Sequence, residues 1–404
     1  MRISTSMIYD LGVTSMQQRQ TEMMHTQQQL ATGRRVLTPA DDPIAAARAL
    51  DLTQSQSVND QYQKNATSAQ SNLNVQDSVL SNVSTLIQNA KTLIVNAGDA
   101  SLTPSDLGAI VNNLQGDYQQ LLSLANSTDG NGQYVFSGYQ TSVRPFGEVA
   151  PGTVAYYGDQ GTRLVQISSS RQIPTGDPGS AVFQRIKNGN GTFATTAAAG
   201  NAGTGVITPG SVVNGAALTG DNYAINFAVA GGATTYDVVD TTTGSTIVTA
   251  APYTAGSAIT FDGMQMEVSG NPANGDSFAV QPSSNVSLFK TLSDVITALK
   301  NATTGSSGNA AVTNALNTAN QNLDNSLTNV LSVRASIGTR LKEIDTAQST
   351  GQQMDVQYQT TLSNLQDVDY SQAASNLSLQ QVNLQAAQQS FLKVTQLSLF
   401  NFLT

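Results

Sequence analysis

The sequence has no cysteine, no tryptophan and a single histidine, and only 11% of its 404 residues are charged, against about 25% in an average chain. Without cysteine there is no disulfide, thiolate nucleophile, iron–sulfur cluster or Cys-based zinc site, and His25 alone cannot build a His-rich metal centre. Aromatic residues at 6% leave little surface for stacking sugars or bases. Lys and Arg total 18 against 27 Asp and Glu, and the net charge of −9 argues against nucleic acid as a partner. Residues 1 to 30 lack the apolar core of about 7–15 residues that a secretory signal peptide needs. The most apolar window, Phe391 to Leu403, is shorter than the ~20 residues of a membrane span and is broken by Lys393, Gln396 and Asn401. No membrane anchor, cofactor or metal is expected, and most catalytic kits cannot be assembled. A structural protein, not an enzyme, is what remains.

What is present is hydrophobic periodicity. At about 150 residues per domain the length predicts two to three domains. Tyr9, Met16, Met23, Leu30 and Leu37 recur every seven residues, the narrow stripe of a helix, interrupted at Gly33. Thr38 to Pro43 reads as a loop ending in an Asp42 N-cap with Pro43 at the first helical position. A second helical region begins there, and from Ala66 its heptads sharpen: Ala66, Leu73, Leu80, Ile87 and Ile94, with Ala69, Val83, Ala90 and Ala97 beside them and only Gln76 polar. Thr103-Pro104 starts a third helix, expected to pack antiparallel on its predecessor. Near the other end, Leu316, Leu323, Val330, Ile337, Ile344, Tyr358 and Leu365 share a heptad position, broken at Gly351; the run of some 58 residues would be about 87 Å long as one helix. Such a stripe needs partners, and the N-terminal helices carry the matching heptads.

The middle of the chain changes character. Between Lys187 and Lys290 there is neither Lys nor Arg, and period-two alternation replaces heptads at Tyr223, Ile225, Phe227 and Val229 and at Met264, Met266 and Val268. Strands are expected there and around Tyr134 to Tyr139, Val154 to Tyr157 and Leu164 to Ile167, with Gly158 to Gly161 as a hairpin turn. The predicted fold class is mainly α with β: a discontinuous coiled-coil-like helical rod of paired N- and C-terminal segments, with β-hairpins and an inserted β-rich domain. The expected division is 1–42 with 369–404 as terminal helices, 43–187 with 286–368 as the rod, and 188–285 as the insertion.

Three chemical motifs compete with this reading. Asp41 and Asp42 could be a carboxylate pair, but without a His, Glu or glycine scaffold nearby they read as loop and helix cap. Gly200 to Gly205 suggests a phosphate loop, yet no P-loop lysine or strand–loop–helix unit accompanies it, so a flexible turn is expected. His25 lies on a Gln-rich helix face, where a solvated or interface role is expected. The C-terminal run Phe391, Leu392, Val394, Leu397, Leu399, Phe400, Phe402 and Leu403 is apolar nearly all round and must be buried, against further subunits or, as the alternative, as a tail docked within its own chain.

Met1-Arg2-Ile3-Ser4-Thr5, Ala31-Thr32-Gly33-Arg34-Arg35 running into Pro39-Ala40-Asp41-Asp42-Pro43, and Leu384-Gln385-Ala386-Ala387 with Ser398-Leu399 resemble the flagellin superfamily. Tyr134 to Gly138, Ile259 to Gly263 and Gly275 to Phe278 are similar to β-region motifs of its hook–filament junction branch. Flagellins themselves usually continue the Asp-Asp pair with Ala-Ala-Gly, where this chain reads Pro43-Ile44-Ala45. The resemblance implies an extracellular structural component of the bacterial flagellum, exported through the flagellar type III apparatus. Its implied partners are hook-associated protein 1, flagellin, further copies of itself in a ring or helical layer, and an export chaperone that masks the C-terminal helix. The implied polymerisation interface is Tyr9, Met16, Met23, Leu30, Leu377, Leu384, Phe391, Val394, Leu397, Phe400 and Leu403, and Asp41, Asp42 and Pro43 would form the inter-layer loop. A flagellin forming the filament itself, and a surface adhesin acting through the β insertion, are the alternatives.

Overall fold

The structure is a computed structural model and describes residues 5–99, 101–302 and 306–396. Its helices are Thr5–Thr32 (α1), Pro43–Ala97 (α2), Pro104–Ala125 (α3), the single turn Gly179–Phe183 (α4), Leu288–Lys300 (α5), Ser306–Gln366 (α6) and Tyr370–Gln396 (α7). Strands occupy the chain between α3 and α5. The protein is thus mostly helical, its N- and C-terminal helices paired around a β-rich insertion. The chain divides into two compact units, one of Met1–Lys64 with Thr346–Thr404 and one of Asn65–Asp345.

In the second unit the heptads do what their spacing predicts. Leu73, Leu80, Val83, Ile87 and Ala90 on α2, and Leu323, Val330, Ile337 and Ile344 on α6, are all fully buried. At roughly 1.5–3 kcal/mol for each buried Leu, Ile or Val, this seam is the main stabilising term of the pair. Ion pairs Arg334–Asp77 (2.9 Å) and Lys91–Asp324 flank it. The one polar intruder, Gln76, is buried and donates from Nε2 to Asp177 (3.2 Å), whose carboxylate also takes a two-pronged bond from Arg340.

Helix α3 begins as its sequence predicts. The Thr103 side chain accepts from the Asp106 N–H, Asp106 answers to the Thr103 N–H, and Pro104 occupies the first turn, a complete capping box. Its apolar face packs closely on α5, with Tyr118 edge-on to Phe289 at 6.3 Å, a partner the sequence reading did not name. Phe146 lies 5.3 Å from Phe289 and 5.5 Å from Phe183, which in turn meets Phe136 edge-on at 5.2 Å. This aromatic cluster explains why the strand expected over Tyr134 to Tyr139 is absent. The segment is a chain of turns whose one bridge is Thr128 with Tyr134, and Phe136 anchors it by being fully buried.

The expected hairpin through Gly158 to Gly161 is also corrected. Thr153–Tyr156 pairs backward with Phe146–Ala150, and Leu164–Ser168 pairs forward with Arg171–Pro174, giving two separate hairpins. The segment between them folds around Asp159, whose carboxylate accepts from the N–H groups of Tyr139 (3.0 Å) and Gly161 (2.7 Å).

The insertion holds a five-stranded antiparallel sheet in the order Thr246–Pro252, Ala233–Asp240, Tyr223–Ala230, Ser277–Pro282, Phe193–Ala197. A smaller sheet is built on Ala258–Phe261 and Met264–Ser269. Tyr223, Ile225 and Phe227, with Met264, Met266 and Val268, point into one core between them, as the alternation predicts. Val229, at the strand's end, is 38% exposed because it lies past the edge of that core.

The glycine-rich run at Gly200 to Gly205 proves to be a built anion cradle for the chain's own carboxylate. Asp276 is buried and accepts from the N–H groups of Ala202 (2.8 Å), Gly203 (3.0 Å) and Ala273 (2.8 Å). A Cβ on Gly203 would collide with this carboxylate and the backbone beside it, so the glycine is required by close approach.

Candidate functional site

The candidate site lies wholly in the first unit, where the two ends of the chain meet. Helix α1 packs along α7. The half-buried positions on α1 include Gly12, Val13, Met16, Met23 and Leu30, and those on α7 include Leu377, Leu384, Ala387 and Phe391. Both sets follow the heptad spacing that one narrow stripe per helix requires. Tyr9 and Phe391 meet as tilted rings at 5.1 Å. Gly12 sits beneath Phe391, where any Cβ would strike the ring. Of the residues expected at the interface, Tyr9, Met16, Met23, Leu30, Leu377, Leu384 and Phe391 therefore fall on helices α1 and α7. Val394 lies in α7, and Leu397, Phe400 and Leu403 lie outside the described residues.

Pairing these stripes uses one face of each helix only. On the remaining faces Leu11 is 60% exposed, Leu379 61% and Val382 61%. Tyr9 is 53% exposed even with its ring against Phe391. On α2 and α6 within the same unit, Ile44, Leu50 and Val356 are likewise turned to solvent.

The loop between α1 and α2 is a knot of hydrogen bonds around the two aspartates. Asp42 caps α2, accepting the Ala45 N–H at Oδ1 (3.0 Å) while Pro43 opens the helix. Asp41 uses Oδ2 for the N–H groups of Thr38 (2.7 Å) and Leu37 (3.0 Å), and Oδ1 for His25 Nε2 (3.1 Å). Both carboxyls are held below their ordinary value of 3.8: Asp41 chiefly by the Thr38 N–H, Asp42 chiefly by the Ala45 N–H and then by Arg35. The lone histidine thus fastens α1 to this loop.

Sequence reasoning missed the residue that ties this loop to the other end of the chain. Arg35 donates its backbone N–H to Gln366 O (2.6 Å), Nη2 to Leu365 O (2.8 Å) and Nη1 to Asp42 (3.2 Å). Val368 N–H bonds Gly33 O (2.9 Å), and Arg34 bridges Asp367. The turn after α1 and the turn after α6 are therefore stitched edge to edge, and Arg35 satisfies carbonyls that end α6. Gly33, at φ +72°, makes the left-handed step that ends α1. Asp369, also missed, caps α7 by accepting from Ser371 (2.9 Å) and Gln372 (3.1 Å). An aspartate just before a helical run was the available signal for Asp369; nothing local marks Arg35 as a link to the other end, because the Leu365 carbonyl that it reaches lies 330 residues away.

Among the described residues no group of three or more His, Asp or Glu is placed to hold a metal ion, and no helix is long and apolar enough to cross a membrane. The arrangement offers packing surfaces and backbone stitching, with no nucleophile and base brought together at this site.

Residues 3–141 match the family described as the bacterial flagellin N-terminal helical region, and residues 196–282 match the D2-like domain of flagellar hook-associated protein 1. The chain is 31% identical over 401 residues to flagellar hook-associated protein 3 of Salmonella typhimurium, covering 99% of both chains. It is similar to the crystal structure of flagellar hook-associated protein 3 from Legionella pneumophila, with 33% identity, a TM-score of 0.74, and coverage of 78% of this chain and 98% of that one. A crystal structure of FlgL from Xanthomonas campestris gives 31% identity and a TM-score of 0.72, covering 77% of this chain and 99% of that one. With the paired terminal helices, the buried heptad seam and the β-rich insertion all in place, the chain belongs to the flagellar hook-associated protein 3 (FlgL) family of junction proteins, non-enzymatic structural components of the extracellular flagellum.

Proposed function

We propose that the paired ends form the inner layer of a tubular junction, in which each copy packs against further copies of itself between hook-associated protein 1 on one side and flagellin on the other. The observation that carries this reading is the apolar surface that α1 and α7 keep after pairing, with Leu11, Leu379 and Val382 each about three-fifths exposed. A helix with apolar residues on two faces is stable in water only when both are covered. Met16, Met23, Leu30, Leu377, Leu384 and Phe391 hold the helix pair together; the outward residues make the contact between copies. On this reading the chain works as three parts: 1–42 with 369–404 for polymerisation, 43–187 with 286–368 as the helical body, and 188–285 as an outer domain. Asp41 to Pro43 link the inner part to the body. Before export, a chaperone would cover the same α7 surface, which keeps soluble copies from associating.

Seeding purified chain onto isolated hooks and imaging by electron microscopy tests the proposal. A short, self-limited layer at the hook tip is the expected result, and long filaments made of this chain alone would reject it in favour of a filament protein. Truncation after Asn383 should leave the heptad seam folded while abolishing incorporation, because it removes the distal part of α7, including Phe391.

A further inference from the structure

The sequence contains five Asn-Gly steps, the dipeptide in which a glycine nitrogen can approach the preceding side-chain amide most freely: Asn131-Gly132, Asn188-Gly189, Asn190-Gly191, Asn214-Gly215 and Asn274-Gly275. The fold treats them very differently. Asn188 Oδ1 accepts from Ser284 N–H (2.8 Å) and Ser283 Oγ (3.2 Å), and the Gly189 N–H is held by Asn322 (3.2 Å). Asn190 accepts from Thr192 (3.0 Å) and Phe193 (2.9 Å) and donates to Gly210 O (3.1 Å). Asn274 accepts from Val229 N–H (3.1 Å), and the Gly275 N–H is fixed to Phe227 O (2.9 Å) in the ladder of the larger sheet. Asn214 is held by one side-chain bond, from Ala216 N–H (3.1 Å).

Asn131 stands apart. It is exposed, and among the described residues nothing is hydrogen-bonded to its side-chain amide. Its backbone N–H and that of Gln133 are tied to the Asp129 carboxylate (2.8 and 2.9 Å), which holds the loop in a tight turn while the Asn131 side chain stays loose. Gly132, at φ +77°, has open space where a Cβ would stand, and its N–H is retained by one turn bond to Asp129 O (3.1 Å).

We propose that Asn131 is a site of spontaneous deamidation, a chemical modification that needs only water. The Gly132 nitrogen gives up its proton to solvent and attacks Cγ of Asn131; the Cγ–Nδ2 bond breaks and the nitrogen, taking up a proton, leaves as ammonia. One water then opens the five-membered imide at either carbonyl, giving aspartate, or isoaspartate when the chain is rerouted through the side chain. Water enters, ammonia departs, and no redox partner is involved. The product places a new carboxylate beside Asp129, and the isoaspartyl form lengthens the backbone inside the turn that supports the Thr128–Tyr134 bridge.

The test is to incubate the full-length folded chain in mildly alkaline buffer and follow amide-to-acid conversion at all five steps by peptide mapping and mass spectrometry, with isoaspartate detected by enzymatic methyl transfer. Two or more hydrogen bonds must open before Asn188, Asn190 or Asn274 can react, so Asn131 should react roughly tenfold or more faster than these three. Asn214 should come second. In urea the five rates should converge, and the Asn131→Gln chain should lack the first product while losing no secondary structure. Comparable rates at all five steps in the folded chain, or first reaction at any step other than Asn131, would overturn the proposal.

Discussion

At the scale of single residues, the two aspartates of the α1–α2 loop work through backbone geometry. Asp41 and Asp42 are lowered below 3.8 mainly by the N–H groups of Thr38 and Ala45. The sign follows: a carboxyl bound more tightly when ionised stabilises the fold fully above its ordinary value, and that contribution is lost as pH falls through the lower, folded value. The loop should therefore hold unchanged from neutrality to about pH 4 and loosen below it; carboxyl-carbon NMR titration of Asp41 and Asp42 should give midpoints under 3.8. Tyrosines give the opposite limb. Burial pushes Tyr118, Tyr156 and Tyr223 up to about 12, helped by Glu148 at Tyr118 and by Asp262 at Tyr223. Their neutral forms favour the fold, so this contribution is complete below pH 10.0 and fades as pH rises towards 12. Burial raises Tyr253 as well, and phenolate absorbance should show a late-ionising fraction near pH 12 that shrinks when Tyr118, Tyr156 or Tyr223 is replaced by Phe.

At the scale of elements, the α2–α6 pair changes its chemistry along its length. In the first unit the facing residues are polar: Gln56 Nε2 donates to Asp355 (2.7 Å), Asn59 Nδ2 to Gly351 O (2.8 Å) and Gln63 Nε2 to Gln348 O (3.3 Å). Gly351 is what lets Asn59 and Gln63 reach the α6 backbone, since a Cβ there would overlap Gln63. Replacing a mid-helix glycine with alanine ordinarily stabilises by about 0.5–1 kcal/mol. Gly351→Ala should instead show no gain, because the Gln63 amide must swing aside and give up its bond to Gln348 O, worth about 0.5–1.5 kcal/mol, whereas Gly338→Ala, with open space at its Cβ, should show the ordinary gain; urea unfolding of the two variants decides. Ile337→Ala, in the apolar seam, should cost roughly 2–5 kcal/mol by the same measurement. These contrasts also show what could be read in advance. The heptads of α2 and α6 and the caps at Asp42 and Thr103 were legible because period and capping are local properties of sequence. The Tyr134 to Tyr139 segment was not, because Phe136 is placed by Phe183 and Phe146, and a strand-like run of aromatics looks the same whether it pairs or anchors. The hairpin at Gly158 failed for a related reason: glycines mark a turn but do not say which neighbouring strands pair. Gly200 to Gly205 was expected to be a flexible turn and is instead a fixed cradle, because the anion that orders it, Asp276, lies 73 residues beyond Gly203 along the chain.

At the scale of the whole molecule, the helices among the described residues divide their apolar residues between faces that meet within the chain and faces that remain in water. Leu379→Asp together with Val382→Asp should leave circular dichroism of the soluble chain unchanged within error and abolish incorporation at hook tips, because both side chains point away from α1. The family was legible from the motifs at the two ends, while which apolar residues are left exposed became visible only with the pairing of α1 and α7. That pairing has a consequence in time. The first helix and the last are partners, as are Arg35 and Leu365, so contacts that complete the first unit span nearly the entire sequence. A chain delivered from one end cannot close this unit until its final helix arrives, whichever end leads, since the partner does not yet exist. A chain that stops before α7 keeps the residues of its seam and its sheets, but it leaves α1 without the helix it packs on. The first unit thereby registers whether synthesis or transport has run as far as α7.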